Sequence, residues 1–272
     1  MKKFNNKVAA ITGAASGIGR MLAVNLAAKG CDVAISDLDV NGLSETAEMV
    51  EKQNGQVSIH EVDVAQRDQV EKYAADVVKQ HGRVDMIINN AGVAVSESVD
   101  DVRYEDFEWL MGINFWGVVY GVKAFLPYLR KQSEGHIVNI SSVNGFITWP
   151  NHAPYCAAKF AVKGFTETLW QELRNTNVRV SCVHPGGIKT HIARNTRFYK
   201  SPGNQMTHEQ SIDAFDKMAH TSADKAADII ISGILKNKRR ILVGSDAYVL
   251  DVLTRLFPTG FVRFVANVAG RK

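Results

Sequence analysis

Cysteine is nearly missing from this chain: three in 272 residues, Cys31, Cys156 and Cys182, with no spacing that suits a metal or a redox pair. That excludes a disulfide-stapled scaffold, and no metal-ligating set is read. Proline is also scarce, with six residues, and no proline- or serine-rich stretch marks a linker between domains. No apolar run approaches the ~20 residues needed to span a bilayer. The run Val8-Ala9-Ala10-Ile11 after Lys2 and Lys3 is too short for a signal peptide and ends in a glycine-rich turn. A strong charge of one sign is lacking too, since 32 Lys+Arg against 28 Asp+Glu leave +4. The densest basic run, Lys236, Lys238, Arg239 and Arg240, is too short to argue for nucleic acid. These absences lead us to expect a soluble cytoplasmic protein with reduced thiols and no nucleic-acid partner.

What is present is an ordinary globular composition, 46% hydrophobic and 22% charged. Strand candidates fall at Val8–Ile11, Asp32–Ser36, Gln56–Val62, Asp85–Asn89, Ile137–Ser141, Val178–Val183 and Arg240–Val243. Runs such as Met86-Ile87-Ile88 suit strands covered on both faces. Between them lie helical patterns, for example Val70, Tyr73, Ala74, Val77 and Val78. The alternation predicts an α/β fold: one doubly wound Rossmann-like domain, a parallel sheet of about seven strands with helices on both faces. Residues 1–244 form this domain, and 245–272 an apolar helical tail.

Ligands of such folds sit beyond the carboxyl ends of the strands. After the first strand comes Thr12-Gly13-Ala14-Ala15-Ser16-Gly17-Ile18-Gly19, opening a helix near Gly17. Glycines there let the backbone approach a pyrophosphate, whose charge a helix N-terminus stabilises. The second strand ends at Asp37, followed by Leu38, where an acidic residue can accept from both ribose hydroxyls of an adenosine. Asp63-Val64 and Asn89-Asn90-Ala91-Gly92 end the third and fourth strands. Beyond the fifth strand, Ser142 precedes Tyr155 by thirteen residues, and Tyr155 and Lys159 are spaced i, i+4 on one helix face. A free tyrosine, with a pKa of about 10, needs a neighbouring cation to work near neutrality.

Thr12-Gly13-x-x-x-Gly17-x-Gly19, Asp63, Asn89-Asn90-Ala91-Gly92, Asn114, Ser142, Tyr155-x-x-x-Lys159 and Pro185-Gly186 together resemble the short-chain dehydrogenase/reductase family, from about Lys7 to Gly244. The resemblance implies hydride exchange between a nicotinamide cofactor and a small-molecule alcohol or carbonyl. Its catalytic tetrad falls on Asn114, Ser142, Tyr155 and Lys159. Tyr155 would be the general acid–base and Ser142 would polarise the substrate oxygen. Lys159 would lower the tyrosine pKa and bond the nicotinamide ribose, and Asn114 would hold a relay water. The cofactor set it implies is Gly13, Ser16, Gly17, Ile18, Gly19, Asp37, Leu38, Asp63, Val64, Asn90, Ala91, Gly92, Tyr155, Lys159, Pro185, Gly186, Ile188 and Thr190, of which Pro185-Gly186-Gly187-Ile188-x-Thr190 resembles the segment that binds the nicotinamide carboxamide. Asp37 favours NAD, with NADP as the alternative, and Arg20 is expected to point away from the ribose. A non-catalytic dinucleotide sensor of the same fold is the other reading.

Two segments bear on substrate choice. Residues 191–220 form a lid, with aromatics and methionines for an apolar pocket and Arg194 and Arg197 left for a substrate anion. In the tail, Val249, Val252, Leu253, Leu256 and Phe257 form one stripe, and Phe261, Phe264, Val265 and Val268 repeat it beyond Pro258-Thr259-Gly260. That pattern suits a subunit interface in a homodimer or homotetramer, a cap on the pocket, or weak membrane-surface contact aided by Arg263, Arg271 and Lys272. The tail is expected to be dispensable for folding of the core.

Overall fold

Seven of the apolar runs hydrogen-bond into one parallel sheet in a computed structural model, which describes residues 3–201 and 206–263. The first half of the chain holds β1 (Lys7–Thr12), α1 (Gly17–Ala27), β2 (Cys31–Asp37), α2 (Val40–Glu51), β3 (Val57–Glu61), α3 (Arg67–His81), β4 (Met86–Asn89), β5 (Val95–Ser96), α4 (Tyr104–Met111) and α5 (Gly117–Leu129). The second half holds β6 (Gly135–Ile140), α6 (Ala153–Leu173), β7 (Val178–Pro185), β8 (Ile188–Lys189), β9 (Arg197–Phe198), α7 (His208–Met218), β10 (Thr221–Ser222), α8 (Ala223–Leu235), β11 (Arg240–Val243) and α9 (Ser245–Leu256). The sheet order is β11-β7-β6-β4-β1-β2-β3. Strand order therefore reverses at β1, between β2 and β4, and opens a crevice beyond Thr12 and Asn89.

Alternation within β1 shows why the sheet needs two helical layers. Val8 and Ala10 face a cluster with Tyr73, Ile87, Phe125 and Val162, whereas Ala9 and Ile11 face Leu22, Leu26, Leu43 and Ile230. Helices α3, α5 and α6 cover the first face, and α1, α2 and α8 the second. Each large aliphatic side chain so buried contributes about 1.5–3 kcal/mol. The continuous helix over Tyr104–Leu129 is long and apolar enough by composition to cross a membrane. Leu110, Val118, Val122, Phe125 and Leu129 are buried, however, as in a core helix.

Four of the five residues of the tail stripe share one outward face, and Leu253 alone packs inward. Ala247, Leu250 and Leu253 pack on Val143, Phe146, Ile147 and Leu242, while Val249, Val252, Leu256 and Phe257 point outward, 54% to 66% exposed. The ion pair of Arg240 with Asp251 turns that carboxylate inward, and the apolar stripe is rotated out with it. Phe261 joins the same cluster, and Phe264, Val265 and Val268 lie outside the described residues. Because α9 covers the turn over Val143–Gly145, which follows Ser142 directly, it is built into the core rather than appended to it.

Residues 191–220 are held at one leg. β9 pairs with β5, and Arg197 lies 3.5 Å over the Trp109 ring with an ion pair to Asp106 at 2.7 Å. Arg194 pairs with Asp216 at 2.9 Å. Both arginines thus have protein carboxylates as partners, and the expectation of a free cation for a substrate anion is not met. Helix α7 is capped by a reciprocal Thr207–Gln210 box and buries none of its residues.

Candidate active site

The glycine loop is shaped by three close approaches. Gly13 and Gly17 have φ of 66° and 56°, in the left-handed region that glycine tolerates. A Cβ on Gly13 would lie 2.7 Å from Cα of Ala91, and one on Gly19 would overlap the Gly13 carbonyl. Ser16 begins α1 in an extended conformation without a side-chain cap, so its side chain leaves the first-turn amides unpaired. Ile18 packs on the core beneath. A tie not foreseen from spacing links this loop to β4: Thr12 Oγ1 accepts from the amides of Asn90 and Ala91 at 3.0 and 3.1 Å. Asn90 Nδ2 returns two bonds, to the carbonyls of Thr12 and Gly13.

Asp37 stands at the end of β2, its Oδ2 accepting from Ala15 N–H at 3.1 Å and Oδ1 from Leu38 and Asp39 N–H at 2.8 and 3.2 Å. It therefore caps the following turn and is aimed at the glycine loop at once. Leu38 beside it is 58% exposed. Arg20 turns back to the Ala15 carbonyl and pairs with Glu45 at 2.8 Å. At the next strand end Asp63 accepts from Ala65 N–H, and Val64 is buried against Gly117.

The polar groups of the second cluster come from four elements. Tyr155 and Lys159 lie one turn apart on α6, with Lys159 Nζ 5.5 Å from the centre of the Tyr155 ring. Lys159 is buried and donates to the Ile140 carbonyl at 3.0 Å. Burial lowers its pKa to about 8. Burial pushes the Tyr155 hydroxyl the other way, up to about 12, while hydrogen bonding with Ser142 pulls it down. Ser142 Oγ accepts from Asn144 N–H, and its carbonyl is bonded by His184 Nδ1 at 3.0 Å. Burial keeps that histidine neutral, down at about 4, so Nδ1 carries the proton it donates.

Asn114 sits in a π-helical segment, Gly112–Trp116, between α4 and α5. Such bulges re-aim side chains and often mark functional positions. Its Oδ1 accepts from Val93 N–H at 2.8 Å and its Nδ2 donates to the Val93 carbonyl at 2.9 Å. The side chain is thus tied to the backbone after β4 by one bond on each amide atom, which leaves each with capacity for a second. Gly92 lies over both Asn114 and Lys159, where an added Cβ would be 3.4 and 3.5 Å from Oδ1 and Nζ.

The loop after β7 closes the arrangement. Pro185 ends the strand, Ile188 is buried in the β8–β10 pair, and Thr190 reaches the glycine loop. A Cβ at Gly17 would lie 3.2 Å from Thr190 Cγ2. Asp246 at the start of α9 bonds Gly187 N–H at 2.6 Å. Sequence reasoning missed His184 and Asp246, and named Thr12 without its tie to Asn90 and Ala91. The strand–glycine–helix pattern over Val243-Gly244-Ser245-Asp246 was a signal for the aspartate. The uncapped helix start, the glycine cradle and the acidic residue at the second strand end fit a dinucleotide. Among the described residues no group of three or more His, Cys, Asp or Glu side chains converges as a metal set would.

Comparison with known proteins agrees with this geometry. Residues 7–200 match the family model for short chain dehydrogenase. SadH of Mycobacterium tuberculosis, described as an oxidoreductase, is 44% identical over 268 residues, 98% of this chain and 96% of its own. A short-chain dehydrogenase/reductase from Burkholderia phymatum, solved in complex with NAD, superposes with TM-score 0.83 at 28% identity, covering 94% of this chain and 95% of that one. An alcohol dehydrogenase from Thermococcus sibiricus, complexed with 5-hydroxy-NADP, gives 0.73 at 25% identity over 87% and 95%. A family match across most of the sheet, a full-length relative and the shared fold lead to one conclusion: this chain is an oxidoreductase of the short-chain dehydrogenase family.

Proposed function

We propose that the protein transfers hydride between NAD(H) and a secondary alcohol or ketone of medium size or lipophilic character, with Tyr155 as general acid–base. The observation that carries this reading is the meeting of Tyr155, Lys159 and Ser142 beside a glycine cradle at one sheet edge. A bound nicotinamide supplies the hydride acceptor in oxidation and the donor in reduction. In oxidation the alcohol proton passes to Tyr155 Oη, and in reduction it returns from there. Ser142 Oγ holds the substrate oxygen and stabilises its developing charge. Lys159, charged below pH of about 8, opposes the cost of a phenolate one turn away. Asn114 fixes the Val93 backbone beside Gly92, which lies over the Lys159 ammonium.

Asp37 supports NAD over NADP. Its carboxylate is pinned in place, and Arg20, the nearest cation of the loop, is committed to Ala15 and Glu45. A 2′-phosphate beside it would meet repulsion of ~4 kcal/mol for unit charges about 4 Å apart at a dielectric of 20, less where water screens it. A panel of secondary alcohols and ketones, read by nicotinamide absorbance with each cofactor, tests the proposal. Turnover of at least one class with NAD is expected, and inertness with every member under both cofactors would refute it.

A further inference from the structure

The first turn of α9 carries a carboxylate into the loop that ends β7. Asp246 Oδ2 accepts the Gly187 N–H at 2.6 Å, across 59 residues of sequence. Glycines make the space for it. A Cβ on Gly186 or on Gly244 would overlap the Asp246 carboxylate, and Gly244 stands at φ 97°, a conformation closed to most side chains. Beside the buried Ile188 side chain and the β8–β10 pairing, the other hydrogen bonds at the start of this loop are neutral backbone ones: Gly186 N–H donates to the Val243 carbonyl at 2.9 Å and Thr221 N–H to the Gly187 carbonyl at 3.5 Å. A bond from an amide to a carboxylate is roughly twice as strong as a neutral one. Asp246 is therefore the one charged hold among the hydrogen bonds at the start of the segment that runs through Ile188 to Thr190 and meets the glycine loop at Gly17.

As the acidic residue of its first turn, the carboxylate gives the helix that bears it a small stabilisation through the helix dipole, and other contacts hold the helix in place. Helix α9 is fastened by Ala247, Leu250 and Leu253 in the core and by the Arg240–Asp251 pair. β11 is held by its ladder with β7. Nothing in these contacts depends on a charge at position 246.

We propose that Asp246 is a positioning residue for the nicotinamide half of the dinucleotide: it fixes the Gly187 amide and so the course of residues 187–190. The proposal rests on the dinucleotide-binding reading above. It makes the last helix part of the cofactor site, which the sequence had set apart as a tail.

The experiment compares two ligands that share the adenosine half, NADH and ADP-ribose, by calorimetric titration of the full-length protein. Wild type, Asp246→Ala and Asp246→Asn are measured, with thermal unfolding midpoints to confirm that each is folded. Asp246→Ala is expected to weaken NADH about tenfold and leave ADP-ribose within twofold. Asp246→Asn, which keeps a neutral acceptor, is expected to lose only a few-fold, again for NADH alone, and serves by itself should the alanine variant not fold. Equal weakening of both ligands, or of neither, would overturn the positioning role. Wild-type protein that binds neither ligand would overturn the dinucleotide reading itself, and this inference with it.

Discussion

Replacing Lys159 with methionine is expected to stabilise the protein while silencing it. The ammonium lies in the core, 3% exposed, with the Ile140 carbonyl as its hydrogen-bond partner. Burial brings its pKa from 10.5 to about 8, so the folded state disfavours the charged form by roughly 3 kcal/mol. Below pH of about 8 the group is charged in both states, and the whole penalty is present. Between there and 10.5 the folded protein has released a proton that the unfolded chain still holds, and stability rises with pH until the penalty is gone. Methionine fills a similar volume without charge and forfeits one hydrogen bond worth about 1 kcal/mol. The net gain at pH 7 is then roughly 2 kcal/mol, a rise of about 5 °C in Tm for a chain of this size. Calorimetric melting at pH 7 and pH 10 measures it. The gain should shrink or reverse at the higher pH, as the wild-type lysine is relieved. A variant that melts no higher than wild type at pH 7, or whose advantage is the same at both pH values, would refute the reasoning.

Asp37→Ala is expected to erase a preference for NAD over NADP of more than tenfold in kcat/KM; a wild-type preference for NADP would show that Asp37 does not face the ribose. The outward stripe of Val249, Val252, Leu256 and Phe257 is expected to lie between copies of the chain. Val252→Asp combined with Leu256→Asp should therefore lower the mass seen by light scattering. An unchanged mass with loss of liposome co-sedimentation would assign the stripe to a membrane surface instead.

The parts of the site that were legible in the sequence are those whose partners are local. The positions of Tyr155 and Lys159 follow from helical spacing, and the glycine loop from its place between strand and helix. All seven strands of the main sheet were marked in the sequence, the inner ones by apolar runs because both their faces are covered, and edge strand β3 with Ile59 left exposed. Strands β5 and β9 left no trace, since two-residue strands have no periodicity and their pairing depends on Arg197 finding Asp106 and Trp109. Leu253 was grouped with the tail stripe but packs inward, because the surface it meets at Val143 and Leu242 is not adjacent in sequence. Only the π segment shows that the Asn114 amide faces Val93. The role of Asp246 was not legible because its partner, Gly187, is 59 residues away, although the strand–glycine–helix pattern marked the place.

The central claim is that Tyr155 moves the proton during hydride transfer. Tyr155→Phe keeps the ring on α6 and removes only the hydroxyl, so single-turnover hydride transfer on the best substrate of the panel, measured beside NADH affinity, tests the claim most directly. A rate lowered by about a hundredfold to ten-thousandfold, with NADH affinity within a few-fold of wild type, is the predicted result. A variant that binds NADH normally and retains most of the wild-type rate would contradict the account.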